Sequence, residues 1–223
     1  MNYADEFTMY FAYGGNGVTT FERHAKEQSI AFLVAVPFLK DFQKHRHKFN
    51  VQRVLLDSGA FTAWNTGKPI EYARWKDSAL SANADEIAAL DAIGNPELSY
   101  ENWRRALSDG IKCWPTYHMG EPVEWLRRYA NEADKIGLGG VARKHESIKI
   151  KWLNKCASMI WPKRLHAFGA ASTKIITTTP FHSVDASSWC YAPQSFGMWA
   201  GFTGKQKAFK ARGCKDMWGE VLE

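Results

Sequence analysis

No apolar run approaches the roughly 20 residues that a membrane-crossing helix needs, and residues Met1 to Glu6 lack the basic region and apolar core of a secretory leader. The expectation is a soluble, cytoplasmic protein with no membrane partner. Cysteine is sparse. Cys113, Cys156, Cys190 and Cys214 stand far apart, with no C-x-x-C or C-x-C pair to seed a zinc site and too few crosslinks for a disulfide scaffold. They read as reduced structural thiols, and no metal and no cofactor are expected. The segment Gly137 to Gly140 has neither G-x-G-x-x-G spacing nor a Walker lysine-serine pair, so a nucleotide loop is also excluded. Low-complexity tracts, linkers and short-period repeats are missing too. With 45% hydrophobic residues in 223, the chain reads as one domain, 1–223, with a core of its own.

What is present is a regular alternation. Short apolar or β-branched runs fall near residues 9–13, 30–36, 53–57, 86–91, 112–117, 135–139, 164–168 and 182–185. Between most of them lie segments of helical character: 40–48, 69–83, 99–108, 121–134, 147–160 and 172–177. Pro69, Ser99 and Pro122 mark helix starts. Val123, Leu126, Tyr129, Ala130 and Ala133 repeat with helical period, which gives one stripe to lay on a sheet. Alternating strands and helices mean a parallel sheet, and eight units predict an α/β fold closed as a compact (β/α)8 TIM-like barrel. An open doubly wound sheet is the alternative.

Strand ends are where such folds keep their chemistry, and three of them carry aspartate. Asp57 follows Val54-Leu55-Leu56 and opens Asp57-Ser58-Gly59-Ala60-Phe61; Asp91 closes the run from Glu86; Asp185 ends Phe181-His182-Ser183-Val184. Parallel neighbouring strands would bring all three to one face. Asp57 is therefore a candidate acid or base, although Asp-Ser-Gly is also good turn chemistry. Glycines at Gly137, Gly139, Gly140 and Gly169 would let a ligand approach the backbone closely.

The net charge of +6 is compatible with a polyanion. Lys205, Lys207, Lys210, Arg212 and Lys215 cluster in the C-terminal segment 190–223, interleaved with Trp199, Phe202, Phe209 and Trp218. Cations for phosphates and rings for exposed bases are what single-strand contacts use; a solvated helix with an aromatic inner face accounts for the pattern equally well. His45-Arg46-His47 has the spacing of a metal-binding pair, but it lies in a basic run and reads as a solvated face.

Taken in order, Asp57-Ser58-Gly59-Ala60-Phe61, Asp91, Ile136 to Gly140, His166 to Gly169 and Val184-Asp185 resemble the tRNA-guanine transglycosylase superfamily. Within it the likeness is to the compact phage and bacterial DpdA-type enzymes that place 7-deazaguanines in DNA. The resemblance implies that Asp57 handles the proton of the base, Asp91 reads the purine, Gly137 to Gly140 lie against it, and Asp185 is the nucleophile. Ser58, Gly59, Phe61, His118, Gly139 and Gly140 would shape the pocket. His118 stands where the family's glutamine would be, and Ala60 replaces a glycine. The C-x-C-x-x-C zinc site of the tRNA enzymes is absent, so DNA is the expected partner and tRNA the alternative. A free 7-deazaguanine is the second substrate, and the need for a helper protein is open. In a phage-encoded enzyme the compartment would be the host cytoplasm.

The chemistry fits these residue types on its own terms. Exchanging a base with retention needs one carboxylate to attack C1′ and a second acidic group to protonate the leaving purine. A base inside a duplex must first be extruded, at a cost of about a few kcal/mol. Phe61, Trp64, Tyr13 and Trp189 are candidates to offset it by stacking. A glycoside hydrolase using Asp57 and Asp185, and a barrel that only binds nucleic acid, are the competing classes.

Overall fold

Runs rich in valine, leucine, isoleucine and phenylalanine suit a pleated surface covered on both sides, which is the situation of a barrel strand. The computed structural model describes residues 7–14, 29–142 and 144–187, with the backbone of two short strands at 198–200 and 208–210. Strands β1 (Thr8–Ala12), β2 (Ile30–Ala35), β3 (Val51–Asp57), β4 (Glu86–Ile87), β5 (Thr116–His118), β6 (Lys135–Gly139), β7 (Arg164–Ala167) and β8 (Ser183–Ala186) form one parallel sheet in the order β4-β3-β2-β1-β8-β7-β6-β5. A parallel bridge between Ala88 and Trp114 joins its two edges. There Ala89 N–H donates to the Trp114 carbonyl at 2.9 Å, and Trp114 N–H to that of Ile87 at 3.1 Å. The sheet is thus closed as a (β/α)8 barrel rather than open and doubly wound. A separate antiparallel pair is formed by β9 (Met198–Ala200) and β10 (Ala208–Lys210).

Helices α1 (Leu39–His45), α2 (Ala60–Thr66), α3 (Tyr72–Ser81), α4 (Pro96–Ser108), α5 (Val123–Glu132), α6 (Glu146–Ile160) and α7 (Thr173–Thr178) occupy the crossovers from β2 to β8. The α5 stripe meets the sheet as its period predicts: Leu126 and Tyr129 are fully buried, each contributing about 1.5–3 kcal/mol. Three local expectations are corrected. Helix α4 starts earlier than Ser99, because Asn95 accepts the Leu98 N–H at 3.0 Å with Pro96 in the first turn. Pro69 lies outside α3. The Ser58-Gly59 turn leads straight into α2, a short helix that turn-forming residues concealed.

Alternation along the strands sorts the core. Phe32, Val34, Val54 and Leu56 pack under α1 and α3, and Tyr117, Leu138, Leu165 and Val184 under α5 and α6. The other parity faces inward, where Tyr10, Ala31, Leu33, Leu55, Ala88 and Trp114 fill the barrel axis. Arg53 and Asp57 share parity with Leu55, so the same period carries a cation and a carboxylate to the two ends of the axis. The inward parity is polar elsewhere too, at Glu86, Lys135, His166, Ser183 and Asp185.

Candidate active site

Strand β3 ends at Asp57 because Ser58 and Gly59 turn the chain. Gly59 has φ +81°, and a Cβ there would lie 2.7 Å from Pro37 Cδ and 2.9 Å from Ile70 Cδ1, so the turn demands glycine twice over. Gly59 N–H donates to Asp57 Oδ2 at 3.2 Å, and Ala60 N–H to Ser58 Oγ at 3.1 Å. Asp57 therefore does cap the turn. Burial, and then the negative charges of Asp91 and Asp185, push its carboxyl up to about 7.

Asp91 is not strand-terminal. β4 ends at Ile87, and Asp91 stands in the loop beyond the Ala88 bridge. It is nonetheless tightly held: Ser58 Oγ donates to Asp91 Oδ1, and His118 Nε2 lies 2.8 Å from Asp91 Oδ2. His118, the last residue of β5, has its other ring nitrogen 2.9 Å from Glu121 Oε1, while its backbone N–H donates to Glu121 Oε2 at 2.9 Å. Burial works against charge on this imidazole, but Asp91 and Glu121 raise it to about 10. His118 is thus an imidazolium with both N–H groups spent on carboxylates. Its ring nitrogens are not available to a base edge, contrary to the sequence expectation.

Asp185 sits near the end of β8 with 7% exposure. Its Oδ1 accepts the Gly169 N–H at 2.8 Å and lies 3.4 Å from His166 Nε2, which makes no hydrogen bond among the described residues. His166, fully buried, is fixed at Nδ1 by Ser183 Oγ at 2.9 Å. Burial lowers its pKa, against the opposing pull of Asp185, and keeps it neutral. Among the described residues Oδ1 is the anchored oxygen of Asp185, and Oδ2 accepts no hydrogen bond.

The glycines of β6 have a different role from the one expected. A Cβ on Gly137 would lie 2.7 Å from Phe168 and Trp114, and one on Gly139 2.8 Å from the His118 ring. Gly140 has φ +77°, with Met119 N 2.8 Å from where its Cβ would be. Beside Gly137, Gly139 and Gly140 the space expected for a ligand is filled by Phe168, Trp114, His118 and the Met119 backbone, whereas nothing lies within 4 Å of a Cβ on Gly169. Tyr13 is likewise no stacking platform: it is buried among Phe32, Phe42 and Phe49, with its hydroxyl on Asp41 at 2.7 Å. Phe61 and Trp64, by contrast, are 45% and 59% exposed on α2 and stack with centroids 6.3 Å apart. Trp189, Lys205, Lys207, Arg212 and the side chain of Lys210 lie outside the described residues.

The opposite end of the barrel holds a cavity of about 980 Å³, lined among others by Arg53, Glu86, Lys112, Lys135, Arg164 and His182. Its charges answer one another. Lys135 Nζ bonds Glu86 Oε2 and donates to Ser183 Oγ at 3.0 Å, and Arg53 lies 3.9 Å from Glu86. Burial opposes the Glu86 charge, yet Lys135 holds its pKa below the usual range.

Two groups of the site lie outside the sequence expectation: Glu121, expected as the first residue of a helix and found ahead of α5, and the Gly169 N–H. The spacing His118-x-x-Glu121 at a strand end was the available signal for the first. Backbone donors leave no mark in sequence beyond the glycine itself, here at φ +60°. No group of His, Cys, Asp and Glu able to hold a metal occurs among the described residues, and no described helix is long and apolar enough to cross a membrane.

No protein-family model matches the chain, and no curated protein does. Solved structures match its fold. The α-subunit of tryptophan synthase from Pyrococcus furiosus, in mutant form, superposes with TM-score 0.52 and 11% identity over 86% of this chain and 91% of that one. The YdjI aldolase from Escherichia coli K12 gives TM-score 0.53 and 10% identity over 86% and 79%. At such identities the likeness is one of fold.

Proposed function

We propose that the chain is a base-exchange transglycosylase that replaces guanine in DNA with a free 7-deazaguanine, using Asp185 as nucleophile, Asp57 as general acid and base, and Asp91 as reader of the purine edge. The observation that carries this reading is the convergence of three carboxyl groups from three barrel units at the C-terminal end of the strands, each held by different partners. Asp185 Oδ2, free while Oδ1 is held by Gly169, attacks C1′. The C1′–N9 bond breaks with its electron pair on the purine, and protonated Asp57 supplies the proton. A glycosyl ester on Asp185 remains. The incoming base loses its N9 proton to Asp57, N9 attacks C1′, and the Asp185 carboxylate leaves with the electrons of the C–O bond. A carboxyl near 7 is matched to a group that must give and take the same proton at neutral pH.

Asp91 offers one remaining acceptor site on each oxygen beside its bonds to Ser58 and His118, and two parallel N–H donors of a guanine-like edge match that pair. The exposed Phe61 and Trp64 rings suit bases flanking an extruded nucleotide. The lack of the C-x-C-x-x-C site favours DNA over tRNA. The test is incorporation of labelled guanine and labelled 7-deazaguanines into duplex DNA, single-stranded DNA and tRNA. Incorporation into DNA supports the reading, incorporation into tRNA alone moves it to the tRNA reaction, and no incorporation beside cleavage of a sugar substrate favours the two-carboxylate hydrolase.

A further inference from the structure

We infer that Glu121 and His118 form a positioning pair that holds Asp91 as an aimed carboxylate and thereby sets the discrimination for bases carrying a 2-amino group. The inference rests on the base-exchange reading, and assigns a role to a residue that reading does not use. Four side chains from consecutive units stand in a row: Ser58 after β3, Asp91 after β4, His118 ending β5 and Glu121 in the following loop. Their contacts leave Asp91 no freedom to rotate, since Ser58 fixes one oxygen and His118 the other.

The row also solves a charge problem. Asp91 shares its end of the barrel with the carboxyl groups of Asp57 and Asp185, and the His118 imidazolium is the cation that touches it, at 2.8 Å. Glu121, with a side chain only 5% exposed, pairs with the other ring nitrogen at 2.9 Å and so keeps that imidazolium charged and its plane fixed. Close packing of the His118 ring on Gly139 permits one ring position. Glu121 touches neither base nor sugar in this scheme and acts entirely through His118.

The experiment pairs two readouts on wild type, Glu121→Gln and a control, Glu124→Gln, whose carboxylate lies on the exposed face of α5. In ¹⁵N-edited NMR at pH 8, wild-type His118 shows both ring N–H protons, and Glu121→Gln loses one. In base exchange with guanine against hypoxanthine, which lacks the 2-amino group, Glu121→Gln raises KM for guanine about tenfold with a smaller change in kcat. Its guanine preference falls by a similar factor, while Glu124→Gln matches wild type. A merely structural role would lower the melting temperature and the folded fraction with the preference intact. That result, or a neutral His118 in the wild type, overturns this inference alone. A wild type that exchanges no base overturns the reading beneath it, and the NMR result then tells whether the pair exists without that use.

Discussion

The two ends of the barrel carry their ionisable groups in opposite ways. At the N-terminal end Glu86 meets Lys135 and Arg53, so each buried charge has a partner of the other sign. At the C-terminal end the four carboxyl groups of Asp57, Asp91, Asp185 and Glu121 stand beside one imidazolium, His118, which pairs with Asp91 and Glu121 alone. A matched set costs little and holds the strands in place; an unmatched set stores electrostatic energy that something must release. In a barrel the C-terminal end is where loops can vary without disturbing the core, and chemistry collects there. The deficit of positive charge is what marks that end as the site, more than the presence of carboxylates.

The sharpest break in the comparison is the removal of the nucleophile. Asp185→Ala is expected to lower base exchange by at least about 10³-fold, measured by label incorporation, while the fold persists. At the matched end the effect falls on stability instead. Glu86→Gln leaves the Lys135 charge uncompensated and is expected to cost about 3–5 kcal/mol in chemical denaturation. Because Lys135 depresses the pKa of Glu86, its stabilisation is present above the ordinary glutamate range and is lost as pH falls below it.

Asp57 behaves with the opposite sign. Its raised pKa means that folding favours the protonated form, so stability falls as pH rises through about 7. Asp57→Asn should therefore gain about 1–3 kcal/mol over wild type at pH 8, seen in denaturant midpoints, and little at pH 4. The same variant should lose exchange, and wild-type kcat/KM should bend near pH 7. The smallest effect is at the rim: Trp64→Ala is expected to weaken single-stranded DNA binding by about 1–2 kcal/mol in a fluorescence titration, with melting temperature unchanged.

Much of this comparison was legible in the sequence. Six of the eight apolar runs coincide with strands to within about two residues, while the run 86–91 keeps only Glu86–Ile87 as strand and the run 112–117 becomes strand only at Thr116; the inward parity of Arg53, Leu55 and Asp57 follows from alternation alone. Asp57 ends its strand as expected, and Asp185 stands one residue before the end of β8. Asp91 was assigned to a strand that in fact stops at Ile87, since a run of alanines does not declare where pairing ends. Glu121 shows in the sequence only as the His118-x-x-Glu121 spacing, and the Gly169 N–H only as its glycine; that the first aims Asp91 and the second anchors Asp185 depends on contacts between units, which no local pattern encodes. The glycines of β6 misled for a related reason: sequence shows that space is left beside a glycine, and not what fills it.

The most direct measurement is intact mass of the protein after acid quench with guanine-containing single-stranded DNA and no free base. The account predicts a covalent protein–DNA adduct that forms in the wild type, maps to Asp185, disappears on chasing with guanine and is absent from Asp185→Ala. An adduct at another residue, or base exchange that proceeds undiminished in Asp185→Ala, would contradict it.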